Sequence, residues 1–185
     1  MDFPDKEIII MQTKKWIVDV VISCNFCPFV AREMQKNSVE YEVRDKATLK
    51  STLQALSEAF NRMEDNTIET LLLILPDAFS RFDSYLDLVV ASEKLLKKSG
   101  FEGIFQIASF HPQYLFAGSN EKDPANYTNR SPYPMLQILR EESLTRAIDS
   151  YPDTSTIPET NIAFAKAKGL AYMQLMRAAC FAINN

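Results

Sequence analysis

Glycine and histidine are scarce in this chain of 185 residues. The four glycines, at positions 100, 103, 118 and 169, are too scattered to form a P-loop or a glycine-rich dinucleotide-binding turn. His111 is the only histidine, and no cysteine lies at ligand spacing from it, so we predict no structural zinc, no other metal site and no cofactor. The sequence therefore lacks the two commonest nucleotide-binding motifs.

Paired cysteines and long apolar runs are also missing. Cys24, Cys27 and Cys180 are odd in number and lack the spacing of a secreted disulfide framework, so we expect reduced thiols. No apolar stretch approaches the roughly 20 residues of a membrane-spanning helix. The N-terminus carries Asp2 and Asp5 where a secretory signal needs cations. We therefore expect a cytoplasmic protein with no membrane partner.

The overall composition is that of an ordinary globular protein. Hydrophobic residues make up 46% of the chain and charged residues 24%, which excludes disordered and collagen-like classes. The net charge of -4 gives no general attraction to phosphate backbones, so we expect no nucleic-acid partner. At this length, residues 1–185 are expected to form a single globular domain.

The periodicity of apolar residues predicts alternating strands and helices. Apolar residues alternate with acids over 38–44, which predicts a half-buried strand, and short aliphatic runs predict buried strands over 68–75 and 104–110. A short fourth strand is a candidate over 114–117. Three- and four-residue spacings predict helices over 28–36, 47–64, 80–98, from Ser131-Pro132 onward and over 156–182.

The segment 9–24 fits two structures. Its apolar residues, from Ile9 through Trp16 to Cys24, recur at helical steps and favour a helix. The β-branched residues of 17–22 would instead suit a strand, so residues 14–23 are left open between helix and strand.

These elements predict an α/β fold. Strands joined through helices run parallel, so the three main strands should point the same way. We expect a single domain with a small, mainly parallel sheet of three to four strands, helices packed around it and a helical C-terminus. The last helix is apolar on more than one side, which suits either burial in the core or a homodimer seam through Ala171, Met173, Leu175, Met176 and Ala179.

Two candidate catalytic residues are expected at one edge of this sheet. Open α/β sheets bind ligands beyond the C-terminal ends of their strands, where His111 directly follows residues 104–110. Pro28 suits the first position of a helix, so Cys27 is predicted to be its N-cap, with a pKa lowered by the helix dipole. A thiolate beside the only histidine would form a nucleophile and base. In the alternative interpretation, Cys27 is a packing residue and His111 a turn residue.

The stretch 126–134 is polar but carries one charge, and it is the predicted substrate-binding loop. Arg130 offers a planar fork for a carboxylate or phosphate, and the start of the helix after Ser131 offers backbone N–H groups to the same anion. The alternative is that these are ordinary loop residues. The predicted binding residues are Asn126, Tyr127, Asn129, Arg130, Ser131 and Tyr133.

Three stretches together resemble a known family. Residues 25–29 (Asn-Phe-Cys-Pro-Phe), 108–112 (Ala-Ser-Phe-His-Pro) and 126–134 are similar to a bacterial family known only as domain of unknown function 1415 (DUF1415), over about residues 16–169. The resemblance implies no established activity, substrate or cofactor. It also implies leucine in place of Cys24, which argues against a shared dithiol, and histidine in place of Gln137, which puts any two-histidine site in doubt here.

Three functions remain open from the sequence. The first is an enzyme that acts on a small anionic metabolite, with Cys27 as nucleophile, His111 as base and Arg130 holding the substrate. The second is a non-catalytic anion-binding or metabolite-binding module in which Arg130 and the N-terminus of the helix predicted after Ser131 do the binding and Cys27 is a packing residue. The third is a thioredoxin-like redox protein acting through Cys24 and Cys27, which requires residues 17–22 to form a strand.

Overall fold

The computed structural model describes residues 4–64, 68–149 and 156–183, except for the side chains of Ala147 and Asp149. Asp2, one of the two N-terminal acids considered above, lies outside these residues. Within them the helices are α1 Lys6–Trp16, α2 Val30–Gln35, α3 Leu49–Glu64, α4 Phe82–Lys98, α5 Glu141–Asp149, α6 Ile157–Lys168 and α7 Leu170–Ala179, and the strands are β1 Val39–Val43, β2 Thr70–Ile74, β3 Phe105–Phe110 and β4 Met135–Arg140.

The four strands form one mixed sheet in the order β1-β2-β4-β3. β1 pairs with β2 in parallel, while β4 lies between β2 and β3 and runs antiparallel to both. β1, β2 and β3 therefore point the same way, as expected, and their C-terminal ends share one edge. The expectation of a mainly parallel sheet is wrong, because the inserted β4 makes two of the three strand pairings antiparallel.

β4 occupies residues that the sequence predicted to be helical. The three-residue step from Leu136 to Leu139 suggested a helix, but Leu136 and Ile138 face one side of the sheet while Met135 faces the other. A central strand is apolar on both faces, so a short apolar run cannot be distinguished from a buried helix by periodicity alone. The helix predicted from Ser131 thus begins only at α5, after β4 has ended.

The N-terminal segment is helical throughout, which resolves residues 14–23. α1 continues directly into a π-helical stretch, Ile17–Ile22, in which the Ser23 N–H donates to the Val18 carbonyl over 3.1 Å. This wider winding keeps Ile17, Val20 and Val21 all buried. The β-branched residues are thus accommodated by a helix packed on the sheet.

Three smaller predictions are corrected. The helix after Pro28 begins at Val30 with Phe29 as its N-cap, so Cys27 lies two residues before the N-cap position instead of occupying it. Residues 114–117 form no strand: 114–116 have no regular secondary structure, and Ala117 begins a turn. The predicted last helix is broken at Gly169, whose φ of 82° is outside the helical region, into α6 and α7.

The two faces of the sheet carry separate cores. We call one the α4 face: Leu71 and Leu73 of β2 pack there with α3 and α4, around Phe60, Tyr85 and Leu88. We call the other the α1 face: Leu72 and Ile74 pack there with Trp16, Ile17 and Val20. Because side chains alternate along a strand, neighbouring residues of β3 also point to opposite faces, and this decides where the candidate site residues lie.

Candidate functional site

His111 lies on the α4 face and is fully buried. Its ring packs against Tyr85, 4.8 Å between centroids, and against Phe82 at 5.2 Å. Nε2 lies 2.9 Å from the Phe79 carbonyl oxygen, and Nδ1 accepts from the Gln113 N–H over 3.0 Å. A neutral ring that donates from Nε2 and accepts at Nδ1 satisfies both contacts, so neither nitrogen is left to take a proton from a substrate.

Cys27 lies on the α1 face and is half-buried beside α2. Burial raises the pKa of its thiol, and this outweighs the opposing effect of hydrogen bonds from the backbone N–H groups of Phe29 and Val30. The lowered pKa expected for an N-cap cysteine is therefore wrong in direction. The environment of Cys27 favours the neutral thiol.

The sheet separates the two candidate catalytic residues. Phe110, at the end of β3, lines a groove on the α1 face together with Cys27, while the next residue, His111, points to the α4 face. The structure thus brings His111 close to the polar loop of residues 126–134, where the backbone N–H of His111 donates to the Asn129 carbonyl over 3.3 Å. It does not bring Cys27 to this loop. The two residues do not form the shared pocket that the sequence predicted.

Most polar side chains of residues 126–134 are bound to the loop itself. Asn126 is fully buried: Oδ1 accepts from the Phe116 N–H over 3.0 Å, and Nδ2 donates to the Asn120 carbonyl over 2.8 Å. Asn129 Oδ1 accepts from the Thr128 hydroxyl over 2.9 Å. These two amides hold the fold of the loop, in agreement with the alternative interpretation of them as loop residues.

Ser131 and Tyr133 connect the loop to the terminal helices. The Ser131 hydroxyl donates to the Tyr133 carbonyl over 2.5 Å instead of capping a helix. The Tyr133 hydroxyl donates to Gln12 Oε1 of α1, and its ring meets Phe181 edge-on at 5.9 Å. Burial raises the pKa of Tyr133. Both side chains thus have partners within the protein.

Arg130 differs from these neighbours because it combines a fixed position with an unbalanced charge. Nε donates to the Tyr114 carbonyl over 3.0 Å and Nη2 to the Glu121 carbonyl over 3.2 Å, while the guanidinium lies 4.8 Å from the centre of the Tyr127 ring. In the part of the chain that the structure describes, Arg130 forms no ion pair with a carboxylate. Carbonyl dipoles and an aromatic face orient the cation but do not cancel its charge.

Arg130 lines a cavity of about 610 Å³ beside the C-terminal ends of the parallel-running strands. Pro112 and Gln113, directly after His111, form part of the wall, and Leu170 and Gln174 of α7 form another part. Charged residues of both signs complete the lining: Arg81, Lys122 and Arg130 against Asp83 and Glu121. The cavity lies at the edge where open α/β sheets bind ligands.

Arg177 of α7 is a residue of this region that the sequence analysis missed. Its Nε donates to the Ser131 carbonyl over 2.9 Å. Burial lowers the pKa of Arg177, and the positive charge of Arg130 acts in the same direction. The sequence offered one signal, since Arg177 is the only charged residue of α7. A single cation on a mainly apolar helix is also typical of a surface-exposed position, so this signal did not point to a site.

The third function required a strand before Cys24 and Cys27. The segment is helical, Cys24 is buried and both thiols are free. The fold therefore lacks the strand on which the thioredoxin-like hypothesis depends.

A sequence model of the family described as "Protein of unknown function (DUF1415)" matches residues 8–175 of the chain. The chain belongs to this family. No curated protein and no solved structure gives a significant match. In this DUF1415 chain, no helix among the described residues is long and apolar enough to cross a membrane. The same residues contain no group of three or more histidine, cysteine or acidic side chains placed to hold a metal ion.

Proposed function

We propose that this DUF1415 protein binds a small anionic molecule, through carboxylate or phosphate groups, in the cavity at Arg130, without catalysing its reaction. The observation that carries the proposal is the guanidinium of Arg130, which is held by two backbone carbonyls and has no carboxylate partner among the described residues. Because the guanidinium is already oriented, it loses little conformational entropy when a ligand binds. Its planar fork of N–H groups suits both a carboxylate and a phosphate.

The charges around Arg130 support an anionic ligand. The cavity wall carries three cations and two carboxylates, and one of those cations, Arg81, is paired with Asp83 at 3.4 Å. Arg177 lies behind the loop and is close enough for its pKa to be lowered by the charge of Arg130. Two guanidinium groups without a carboxylate between them repel each other, and a bound anion would relieve that repulsion.

The size of the cavity supports a metabolite rather than a single ion. A volume of about 610 Å³ falls within the range of roughly 300–1,000 Å³ that is typical of small-molecule sites. Phe82, Leu115 and Leu170 add apolar contact area beside the polar groups. A ligand with an anionic end and a short carbon body fits this combination.

Binding without catalysis is favoured over the enzyme hypothesis. The nucleophile and base proposed for an enzyme lie on opposite faces of the sheet, whereas general-base catalysis needs hydrogen-bond reach or one bridging water. The hydrogen bonds of His111 further reduce its capacity to act as a base.

Thermal-shift measurements at constant ionic strength test the proposal. We expect inorganic phosphate or succinate, titrated against chloride, to raise the melting temperature in a saturable way, since a ligand at 100 times its Kd stabilises by about 2.7 kcal/mol. Arg130→Lys keeps the charge but loses the fork, and it should weaken binding about tenfold or more. Arg146→Lys, an exposed residue of α5, is the matched control and should leave binding unchanged.

Two results would overturn the proposal. One is the absence of a saturable shift with either anion. The other is equal affinity of the wild type and Arg130→Lys, measured well below the melting temperature of both proteins.

A further inference from the structure

A second cavity, of about 230 Å³, opens on the α1 face of the sheet. It lies at the end of β4 remote from the loop, between α2, the sheet and the start of α5. We call it the β4 groove. Its walls are mainly apolar and come from all three elements: Cys27, Val30, Ala108, Phe110, Leu139 and Leu144.

Two polar side chains, Thr70 of β2 and Gln137 of β4, lie on the sheet floor of this groove, and the orientation of the Gln137 amide follows from a chain of hydrogen bonds. The Thr70 hydroxyl donates its only proton to the Ile138 carbonyl over 2.8 Å. Thr70 Oγ1 can therefore only accept from Gln137, whose Nε2 lies 2.9 Å away. This places the Gln137 amide nitrogen toward Thr70 and leaves Oε1 on the other side, with no donor from any residue that the structure describes.

The charged residues at the rim are already paired. Glu33 accepts from Lys36 Nζ over 3.0 Å. Glu69 accepts from the Ser143 hydroxyl and lies 3.9 Å from Arg140 Nε. Since these partners balance the charge, the rim favours neither an anion nor a cation. The groove thus offers apolar walls and one uncharged acceptor.

We propose that the β4 groove binds a small uncharged aromatic molecule that donates an O–H or N–H to Gln137 Oε1. The size fits a single ring with a small substituent, because a dry apolar cavity of about 150 Å³ holds benzene. The oriented amide oxygen of the half-buried Gln137 selects for a donor, because a ligand without one would cover this acceptor and leave it unpaired, which costs free energy. This site is separate from the anion cavity in position and in ligand chemistry.

Phenol and toluene are the probes, because they have nearly the same shape and differ in the hydroxyl donor. Both are titrated into the full chain, and the methyl resonances of Val30, Leu139 and Leu144 report binding by NMR. We expect saturable shifts of these methyl groups with phenol. In Gln137→Leu, which has a similar volume but no acceptor, the phenol-to-toluene affinity ratio should fall about tenfold.

Two further variants locate the effect. Gln54→Leu makes the same substitution on α3, away from the groove, and should leave the ratio unchanged. Ala108→Leu extends a wall into the cavity and should abolish binding of both probes while the melting transition stays cooperative. Absence of phenol binding to the wild type, an unchanged ratio in Gln137→Leu, or undiminished binding to Ala108→Leu would each overturn the proposal.

Discussion

Tyr85 and His111 pack against each other at the α4 face, with their ring centroids 4.8 Å apart and their planes tilted by 36°, and both residues are fully buried. The Phe79 carbonyl that contacts His111 Nε2 comes from a residue with φ of 53°, a left-handed conformation that is uncommon outside glycine. The turn after β2 is therefore shaped around a neutral imidazole, which makes His111 a structural residue of the sheet edge.

The first prediction concerns the pH dependence of stability. Burial lowers the pKa of His111 from its ordinary value of 6.5; the hydrogen bond to the Phe79 carbonyl opposes this effect, and the positive charge of Arg177 adds to it. As the pH falls, the unfolded chain takes up the proton first, so the free energy of unfolding should decrease below about pH 6.5 until the folded pKa is reached. The limiting slope is about 1.4 kcal/mol per pH unit.

Urea denaturation of the wild type and His111→Gln at several pH values measures this effect. Glutamine can still donate to the Phe79 carbonyl but does not titrate, and the chain has no other histidine. The difference between the two proteins should therefore shrink as the pH falls from 7 to about 5. A constant difference would mean that His111 has the same pKa in the folded and unfolded chains, and a difference that grows as the pH falls would mean that the folded protein holds it protonated; either result would contradict the lowered pKa.

The second prediction concerns the reactivity of the three thiols. Burial raises the pKa of each, that of Cys180 to about 11. Only Cys27 is partly exposed, so iodoacetamide should label it before Cys24 and Cys180, but more slowly than an unperturbed thiol. Peptide mass spectrometry after timed labelling resolves the three sites. Equally fast labelling of Cys24 in the folded protein would contradict the assigned burial.

The third prediction concerns the Tyr85 hydroxyl, which joins two strands. It donates to the Met135 carbonyl over 2.7 Å and accepts from the Phe110 N–H over 3.0 Å. Tyr85→Phe removes both bonds and leaves these backbone groups unpaired, which should cost about 1–3 kcal/mol in the free energy of unfolding. Tyr172→Phe on exposed α7 is the control and should change it by less than about 0.5 kcal/mol. Similar losses in both variants would show that the bridge contributes nothing.

The sequence predicted the strands and helices that have a single clear period. β1, α3 and α4 are each apolar on one side, and their bounds lie within a few residues of those expected. β4 was missed because it is apolar on both faces and so shows no alternation of apolar and polar residues. Without β4 the predicted sheet was mainly parallel, whereas its two antiparallel pairings make the observed sheet mixed.

The prediction that Cys27 and His111 share a pocket was wrong, and the sequence contained part of the reason. The steps from β1 to β2 and from β2 to β3 run in the same direction across the sheet, so right-handed crossovers place α3 and α4 on one face. His111 turns toward that face. α2 precedes β1 and is not constrained by this rule, so no pattern in the sequence assigned Cys27 to the opposite side. The hydrogen bonds of the polar loop could not be predicted either, because the residue type alone does not show whether an asparagine side chain bonds to the protein backbone or to a ligand.

The last prediction separates structure from binding within that loop. Asn126 is fully buried and holds the Phe116 N–H and the Asn120 carbonyl, so Asn126→Ala leaves two backbone groups without their partner. The free energy of unfolding should fall by about 1–3 kcal/mol. Anion affinity at the Arg130 cavity, measured at a temperature where the variant remains folded, should stay within about twofold, because Arg130 is fixed by other carbonyls. Guanidinium chloride denaturation gives the first quantity and isothermal titration with the anion gives the second. A variant of unchanged stability that loses binding would show that Asn126 contacts the ligand, as the sequence alone had suggested.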